Sequence, residues 1–351
     1  MSTHSLPSGH RSGDVLGLCR PRGLSPAALV AGLLLAACAQ TALAQSFPSR
    51  PVRMMIPYPP GGAVDIVARL MSERMSRELG VPVAIENKAG AAGVIGAEQV
   101  ARSPADGYSL LIGAVATHAI NPSLYPRMPY DAERDFAPIS LIAVVPNVLV
   151  LNEAFAQRES IRTVDDFVAV LRRRPGAFQF ASGGNGSAGH LAGELFKQQT
   201  QTFAVHIPYR GAGPAQLALM SGEVQFMFDN LASAAPRIRE GRILPLGLTT
   251  VSRTPAMPEL APLSELSPRE LKGFDISTWY GLFAPAGTPR PIIDRIRGAL
   301  LEAMKSERFT QTMRTQAAAA APTTPEAFAQ LIRNEAAKYK ELVARSGATI
   351  D

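Results

Sequence analysis

The segment from Arg53 to Gly62 is the part of the chain that most limits the fold. It reads Arg-Met-Met-Ile-Pro-Tyr-Pro-Pro-Gly-Gly, a buried-strand pattern that runs into a turn, and a helical pattern over residues 64–79 follows at once. Gly61 and Gly62 can take positive φ and let the backbone approach a ligand. Because the free amides and the positive dipole end of the helix face this turn, the segment predicts an anion site.

Strand-like apolar runs alternate with helical patterns along the rest of the chain. Several runs, such as Leu141–Val145, are apolar throughout, which is typical of strands buried on both faces. The alternation predicts doubly wound α/β units, each a mostly parallel sheet flanked by helices. Strands are predicted at 52–56, 83–87, 108–112, 139–145, 147–151, 178–181, 203–208, 224–229, 244–249 and 281–285. Helices are predicted at 64–79, 91–102, 163–174, 187–200, 212–221, 232–240, 289–305 and 325–346, and the run 317–321 is expected to end a helix.

The order of these elements predicts two lobes. Residues 47–148 form one α/β unit, residues 149–276 form a second, and residues 277–351 return to complete the first. Two chain crossings of this kind produce a hinged cleft. Ligands of open α/β sheets bind beyond the carboxyl ends of the strands, which is where the glycine-containing turns lie. Trp279, the single Trp, precedes the strand that recrosses, and it either walls the cleft or packs at the hinge.

The first 44 residues read as a secretory signal peptide. Three Arg residues form a basic region, an apolar run covers residues 26–38, and Ala42–Ala44 offers the small residues that a signal peptidase recognises. The apolar run is shorter than the ~20 residues that span a bilayer, so we expect a soluble protein exported to the periplasm. Two alternatives stay open. Leu35–Cys38 resembles a lipobox, which would leave a lipid anchor at Cys38, and the start codon could lie downstream of the first Met.

The composition fits an exported globular protein and excludes several functions. The first 44 residues hold three of the 35 Lys and Arg and one of the 29 Asp and Glu, so the rest of the chain has a net charge of +4. The charges are interspersed, and nucleic-acid binding is not expected. Both Cys residues, Cys19 and Cys38, lie in the leader. Cleavage after Ala44 therefore leaves no disulfide, thiolate metal site or Cys nucleophile.

A second glycine-rich turn is predicted over residues 181–190, Ala-Ser-Gly-Gly-Asn-Gly-Ser-Ala-Gly-His. It lies between a strand and a helix, where Ser182 and Ser187 can offer hydroxyls and Ser187 can cap the helix. Residues 184–189 match the G-x-G-x-x-G pattern of dinucleotide-binding turns. Such sites place an acidic residue ~20 positions later, and Arg210 stands there instead. An anion site is therefore favoured over a dinucleotide site or a turn that binds nothing.

Further candidates for the cleft lie at other predicted strand ends. Thr117 and His118 follow the strand at 108–112, and a structural role is the alternative for His118. Asp229 ends the strand at 224–229. Its carboxylate would accept a hydrogen bond from an amino or hydroxyl group of a ligand, or would cap the next helix.

Catalytic sites find no support in the sequence. His118, His190 and His206 are the three His residues after the leader, and no pair has the helical spacing of a zinc site. Ser182, His190 and Asp229 supply the residue types of a triad, but the G-x-S-x-G motif is absent. We expect no metal site and no enzymatic activity.

Ordered motifs make the chain resemble the TctC-like, or Bug, family of periplasmic solute-binding receptors, which serve tripartite tricarboxylate transporters. The resemblance covers essentially all of residues 47–351. Its motifs are Phe47–Val52, Pro60–Asp65, Glu86–Gly93, Ala105–Tyr108, Tyr130–Asp131, Asp135–Pro138, Tyr209–Gly211 and Trp279–Pro289.

The resemblance implies a two-lobed Venus-flytrap receptor that is monomeric and has no cofactor or catalysis. Its ligand would be a small carboxylate-bearing metabolite, held largely by main-chain amides of one glycine-containing loop in each lobe. Its partners would be the membrane components of the transporter. The implied ligand-binding residues are Tyr58, Pro60, Gly61, Gly62, Ala116, Thr117, Ser182, Gly183, Asn185, Ser187, His190 and Asp229.

Residues 113–117 depart from the family pattern. The family commonly has small polar residues here, whereas this chain has Gly-Ala-Val-Ala-Thr. We expect Ala114 and Val115 to shift ligand preference. Two alternative functions stay open, namely a receptor that presents its ligand to a sensor kinase and a receptor for an aromatic or uncharged solute.

Overall fold

The computed structural model of the chain describes residues 47–348. The signal peptide predicted over residues 1–44, with its alternative processing at Cys38, lies outside this range. Across residues 47–348, every helix is too short or too polar to cross a membrane.

The strands of the described residues join into one mixed sheet. Its order is β2-β1-β3-β9-β4-β7-β5-β6, with β10 and β8 also pairing with β4. The strands are β1 Val52–Ile56, β2 Val83–Asn87, β3 Ser109–Ala114, β4 Phe136–Leu151, β5 Gln179–Ser182, β6 Val205–Pro208, β7 Phe226–Asn230, β8 Leu244–Leu248, β9 Ser277–Pro285 and β10 Ala319–Ala320.

Helices cover both faces of this sheet. A short turn of 3₁₀-helix at Ala91–Gly93 and a π-helical turn at Ala116–Ile120 each lead into an α-helix. The α-helices are α1 Ala63–Leu79, α2 Val94–Ala101, α3 Asn121–Leu124, α4 Glu153–Arg158, α5 Val164–Arg173, α6 Ala188–Thr200, α7 Ala212–Ser221, α8 Leu231–Arg239, α9 Leu263–Leu266, α10 Arg290–Met304, α11 Glu307–Thr315 and α12 Pro325–Ser346.

Strand β4 runs through both halves of the sheet. From Phe136 to Pro146 it pairs with β9, and from Asn147 to Leu151 it pairs with β7 on one side and β8 on the other. The sequence predicted two strands here, at 139–145 and 147–151, and this prediction is wrong. A Pro lacks a backbone donor, which a strand tolerates best where its hydrogen-bonded partners change. Pro146 occupies that point.

Each half of the sheet has parallel strands away from β4. In one half β1 pairs in parallel with β2 and β3, and in the other β5 pairs in parallel with β6 and β7. Strands β4 and β9 are antiparallel to their neighbours. The carboxyl ends of the parallel strands of both halves therefore meet beside these two crossing strands.

The predicted helices are present at nearly the predicted bounds, but the short helices α3, α4 and α9 were not predicted. Two further errors lie near the C-terminus. Helix α11 was not predicted, although Ser306 caps it by accepting a hydrogen bond from the Phe309 amide. The run 317–321 was expected to end a helix, and it instead contains β10, which pairs with Ala143 and Val144. An Ala run satisfies either structure, so this sheet contact decides its conformation.

The C-terminal helix α12 packs on the crossing strand β9. The Phe328 ring contacts the rings of Trp279 and Phe283, with centroid separations of 5.6 and 5.0 Å. Trp279 is buried and its Nε1 donates to Glu335 Oε2 at 3.2 Å. Of the two roles predicted for Trp279, the structure shows packing beneath the C-terminal helix.

We expect Gly281→Ala to destabilise the protein by about 1–3 kcal/mol, because a Cβ at Gly281 would overlap the Phe328 ring. The free energy of unfolding in urea measures the effect. Gly298→Ala is the control, since Gly298 lies on an exposed face of α10 with open space around it. That control should stabilise by about 0.5–1 kcal/mol. Equal unfolding free energies for the two variants would contradict this packing.

Candidate functional site

A cavity of about 410 Å³ lies beyond the carboxyl ends of strands from both halves of the sheet. Tyr58 follows β1, Ala114 ends β3 and Gly183 follows β5. The position matches the general rule for ligand sites in open α/β sheets. The lining residues are Tyr58, Val64, Ala92, Ala114, Val115, Ala116, Ile120, Asn121, Leu124, Tyr125, Gly183, Asn185, Gly186, Ser187, Ala188, Thr278 and Tyr280.

The lining of this cavity contains no ionisable side chain other than Tyr. Among the described residues that form it, the walls are aliphatic or aromatic, and the polar groups are hydroxyls, two Asn amides and the backbone. A charged group of a ligand would therefore be met by backbone amides, helix termini and neutral side chains. Such groups stabilise an anion well and offer nothing that neutralises a cation.

The loop from Ser182 to Ser187 forms one wall of the cavity. Gly183, Asn185 and Ser187 line it, as predicted for ligand contact. Gly186 has a φ of 71°, in the region that favours glycine. Ser187 caps helix α6 by accepting a hydrogen bond from the His190 amide at 3.2 Å. The positive end of α6 therefore faces the cavity.

Ser182 and His190 hold this loop from behind and are not among the lining residues. Ser182 Oγ accepts a hydrogen bond from the Gly184 amide at 3.1 Å and lies 2.7 Å from His206 Nε2. His190 Nδ1 accepts a hydrogen bond from the Gly186 amide at 3.0 Å. Because an amide can only donate, His190 must be neutral with its proton on Nε2.

The rings of His190 and His206 are stacked, 3.8 Å apart and 7° from parallel. Burial lowers the pKa of His190 to about 4, and Lys197 adds to the effect. Burial also lowers the pKa of His206 to about 3, and the neighbouring His190 and Lys197 add to it. The sequence analysis missed His206. The parallel pairing of β6 with β5 places His206 beside Phe180, and no local motif in the sequence predicts this contact.

The loop before α1 contributes differently from the prediction. Tyr58 and the nearby helix residue Val64 line the cavity, whereas Pro60, Gly61 and Gly62 are exposed and lie outside its lining. Gly61 takes a positive φ of 82°, but Gly62 has a φ of −75°. Gly62 therefore does not use the positive φ that a glycine allows. A Cβ there would meet the Pro59 carbonyl at an ordinary 3.7 Å.

The Asp65 carboxylate already accepts the hydrogen bond of a backbone amide in this first loop. It accepts hydrogen bonds from the Gly61 amide at 2.9 Å, from Arg69 at 2.9 Å and from Asn87 at 2.8 Å. Burial alone would raise the pKa of Asp65, but the hydrogen bonds from Arg69, Gly61 and Asn87 lower it to about 2. The first loop is therefore fixed by an internal anion. The backbone amides that remain for a ligand lie at the start of α1.

The π-helical turn after β3 brings Ala116 to the cavity and buries its neighbours. Thr117 Oγ1 is hydrogen-bonded to the Ala114 amide and carbonyl, both at 3.0 Å, and it lies 2.8 Å from His118 Nδ1. The His118 ring stacks on Phe283 at 3.8 Å, and burial lowers its pKa to about 3. Thr117 and His118 thus shape the wall behind Ala116 without lining the cavity.

Asp229 lies at the end of β7, outside the cavity lining. It is 4% exposed, and its carboxylate accepts hydrogen bonds from Gln216 at 2.6 Å, from Ser233 at 2.8 Å and from the Asn230 amide at 2.8 Å. Burial raises its pKa, although these hydrogen bonds oppose the change. Asp229 therefore connects β7, α7 and α8, and Asn230 is the residue that caps α8.

Comparisons with known proteins establish the family. The sequence profile described as the tripartite tricarboxylate transporter family receptor, TctC, matches residues 67–348. The chain belongs to this family. Protein BugT of Bordetella pertussis is 34% identical over 308 residues, which cover 88% of this chain and 92% of BugT.

Two solved structures of similar proteins contain carboxylates. R. palustris Rpa4515 with adipate is 32% identical, with a TM-score of 0.73, covering 87% of this chain and 99% of that one. MatC (Rpa3494) from Rhodopseudomonas palustris, with bound malate, is 30% identical, with a TM-score of 0.69, covering 85% of this chain and 100% of that one. These likenesses confirm the α/β periplasmic-binding-protein fold. This TctC-family chain is a solute-binding receptor and not an enzyme.

Three hydroxyl-bearing residues of this TctC-family cavity were not predicted from the sequence, namely Tyr125, Thr278 and Tyr280. Thr278 and Tyr280 lie two positions apart on β9, so they share one face of the strand, and both line the cavity. Trp279 faces the other way, toward α12. The alternation along a strand was the one available signal, and it was lost because the strand was predicted to begin at residue 281.

The three buried His residues predict a loss of stability in acid. The folded pKa values of about 3 to 4 lie below the ordinary 6.5, so the unfolded chain takes up protons first as the pH falls. Stability should be complete above pH 6.5 and decline toward pH 4. His118 is fully buried and should contribute up to about 2 kcal/mol of this loss by pH 5.

Urea unfolding at pH 7 and pH 5 measures this difference. His206→Gln is the comparison variant, and it should lose less stability between the two pH values than the unchanged chain. Equal unfolding free energies at both pH values would show that these rings are not held neutral in the folded protein.

Proposed function

We propose that this receptor captures a small carboxylate-bearing metabolite between two lobes in the periplasm and delivers it to the membrane components of a tripartite tricarboxylate-type transporter. In this proposal the lobes comprise residues 47–148 with 277–351, and residues 149–276. The leader is removed after Ala44. The receptor acts as a monomer, without a cofactor and without binding nucleic acid.

One observation carries the proposal. The cavity is lined from both halves of the sheet, by Tyr58 and Ala114–Ala116 on one side and by Gly183 and Asn185–Ala188 on the other. A solute in this position would contact both halves at once. It would stabilise the closed arrangement by the difference between its binding free energies for the closed and the open arrangements.

The chemistry of the second loop supports a carboxylate as the bound group. Helix α6 begins at Ala188, directly after the Ser187 cap, and its first amides face the cavity wall. A carboxylate near a helix N-terminus gains ~0.3–1 kcal/mol, up to ~2 when partly buried. Each charge-assisted hydrogen bond from an amide adds ~1.5–3 kcal/mol. The adipate and malate of the two similar structures are carboxylates of this kind.

A receptor for an aromatic or uncharged solute is the second candidate. The observation that favours it is the lining itself, which holds aromatic and aliphatic side chains and, within the described residues, no cationic side chain. The two candidates differ in whether binding depends on a negative charge of the solute.

We expect Ala188→Asp to weaken binding of adipate or malate by at least about 100-fold. Two like charges about 4 Å apart repel by ~4 kcal/mol at an effective dielectric constant of 20. The helix itself tolerates the change, since an acidic residue is favourable in a first turn. Isothermal titration calorimetry measures the dissociation constants.

Ala188→Asn is the matched control, because it has nearly the same size without the charge. It should weaken binding by no more than about tenfold. If the Asp and Asn variants lose affinity equally for every carboxylate, a carboxylate is not bound at the start of α6. The uncharged-solute function takes precedence if no carboxylate binds to the unchanged chain.

A further inference from the structure

Tyr280 is buried, whereas Tyr58 and Tyr125, the other Tyr residues among the described residues of the cavity lining, are half-buried. Tyr280 is 7% exposed, lies on the crossing strand β9, and its hydroxyl makes no hydrogen bond to any described residue. The Tyr58 hydroxyl also lacks a partner, but it is sealed from solvent beside Thr117. The Tyr280 hydroxyl is not sealed in this way, so a bound solute can reach it.

The Tyr280 phenol is a hydrogen-bond donor throughout the physiological pH range. Burial raises its pKa to about 12, which keeps the proton in place. Water can accept the hydrogen bond of this accessible hydroxyl while the cavity is empty, so a solute that displaces the water leaves the donor unpaired unless the solute itself accepts the hydrogen bond. The group that completes this site is therefore an acceptor, such as a carboxylate, carbonyl or hydroxyl oxygen.

The same site offers nothing for an ammonium group. The described residues that line the cavity include no Asp or Glu. Asp65 and Asp229, the buried carboxylates nearest to the sequence-predicted loops, are each satisfied by three donors of their own segments. An ammonium group moved from water into this cavity would lose its hydration without gaining a counter-charge.

The apolar part of the cavity lining favours an apolar chain or ring. It consists largely of aliphatic side chains, among them Val64, Val115, Ile120 and Leu124, and Tyr125 adds a ring. Apolar surface of a solute that contacts these side chains leaves water, which stabilises the complex. A short solute bearing several hydroxyl groups would bury those groups against side chains that cannot bond them.

We infer that the cavity selects a carboxylic acid with an apolar chain or ring, a hydrogen-bond acceptor that meets Tyr280 and no ammonium group. The inference rests on the proposed function and narrows its ligand class. It makes Tyr280 the residue that distinguishes solutes by their second polar group, while the loop after β5 holds the first carboxylate.

Three probes of similar chain length test the inference in calorimetry. Adipate has an acceptor at each end, hexanoate has one carboxylate and no far acceptor, and 2-aminoadipate adds an ammonium group to the adipate chain. The full chain, expressed with its own leader, is purified and refolded to remove bound solute. Adipate should bind at least about tenfold more tightly than either of the other probes, with hexanoate measured by displacement of adipate.

Tyr280→Phe is the deciding variant and Tyr339→Phe its matched control. Tyr280→Phe should weaken the binding of adipate by about tenfold and change the binding of hexanoate by no more than about twofold, because only adipate places an acceptor at that hydroxyl. Tyr339→Phe removes a buried hydroxyl that has no hydrogen-bond partner and lies outside the cavity lining, so it should leave the ratio of the two affinities unchanged. Neither variant should lower the melting temperature of the solute-free protein.

The outcomes separate this inference from the proposed function. The ligand class is wrong and the receptor function stands if carboxylates bind but 2-aminoadipate has the same affinity as adipate. The same conclusion follows if Tyr280→Phe lowers the affinities for adipate and hexanoate equally. If no carboxylate binds to the folded protein, both are overturned. If Tyr280→Phe does not fold, the comparison of adipate with 2-aminoadipate in the unchanged chain decides the matter.

Discussion

The antiparallel pairing of β4 with β9 is the interaction on which the rest of the structure depends. It extends from Phe136 opposite Pro285 to Pro146 opposite Ser277, and β4 then continues to new partners at Asn147. The two parallel units meet through this strand, and the face of β9 beside it supplies part of the cavity. The proposed hinge needs only a few residues that absorb backbone rotation, and the change of partners at Pro146 is a position that fits it.

Ionised groups near the site form hydrogen bonds within the protein. The Asp65 carboxylate fixes the loop before α1, and the Asp229 carboxylate fixes the end of β7. The neutral His190 accepts a hydrogen bond from the backbone of the loop after β5. Each loop is therefore held in place before a solute arrives, and this preorganisation reduces the entropy that binding would otherwise lose.

Local patterns in the sequence predicted the elements well and the contacts between elements poorly. The strand, turn and helix from Val52 to Leu79 follow from apolar periodicity and two glycines, which are properties of neighbouring residues. The continuity of β4 through Pro146 depends on partners that lie more than 70 residues away. For the same reason the satisfaction of Asp229 by Gln216 and the exposure of Tyr280 to the cavity were outside the reach of the sequence. The placement of three loop residues in the cavity wall could be predicted because it depends on neighbouring residues alone. These residues are Gly183, Asn185 and Ser187.

A cavity without ionised side chains has a consequence for how the receptor distinguishes its empty and filled states. In the proposed mechanism, closing an empty cavity of this kind would bury no unpaired charge, but it would leave backbone donors at the start of α6 and the Tyr280 hydroxyl without partners. Each unpaired donor costs ~1–3 kcal/mol. A solute that accepts these hydrogen bonds removes that cost only in the closed arrangement. Its higher affinity for the closed arrangement therefore comes from hydrogen-bond donors that the protein cannot satisfy by itself. A solute that lacks matching acceptors would stabilise the closed arrangement little, even if its apolar part fits the cavity well.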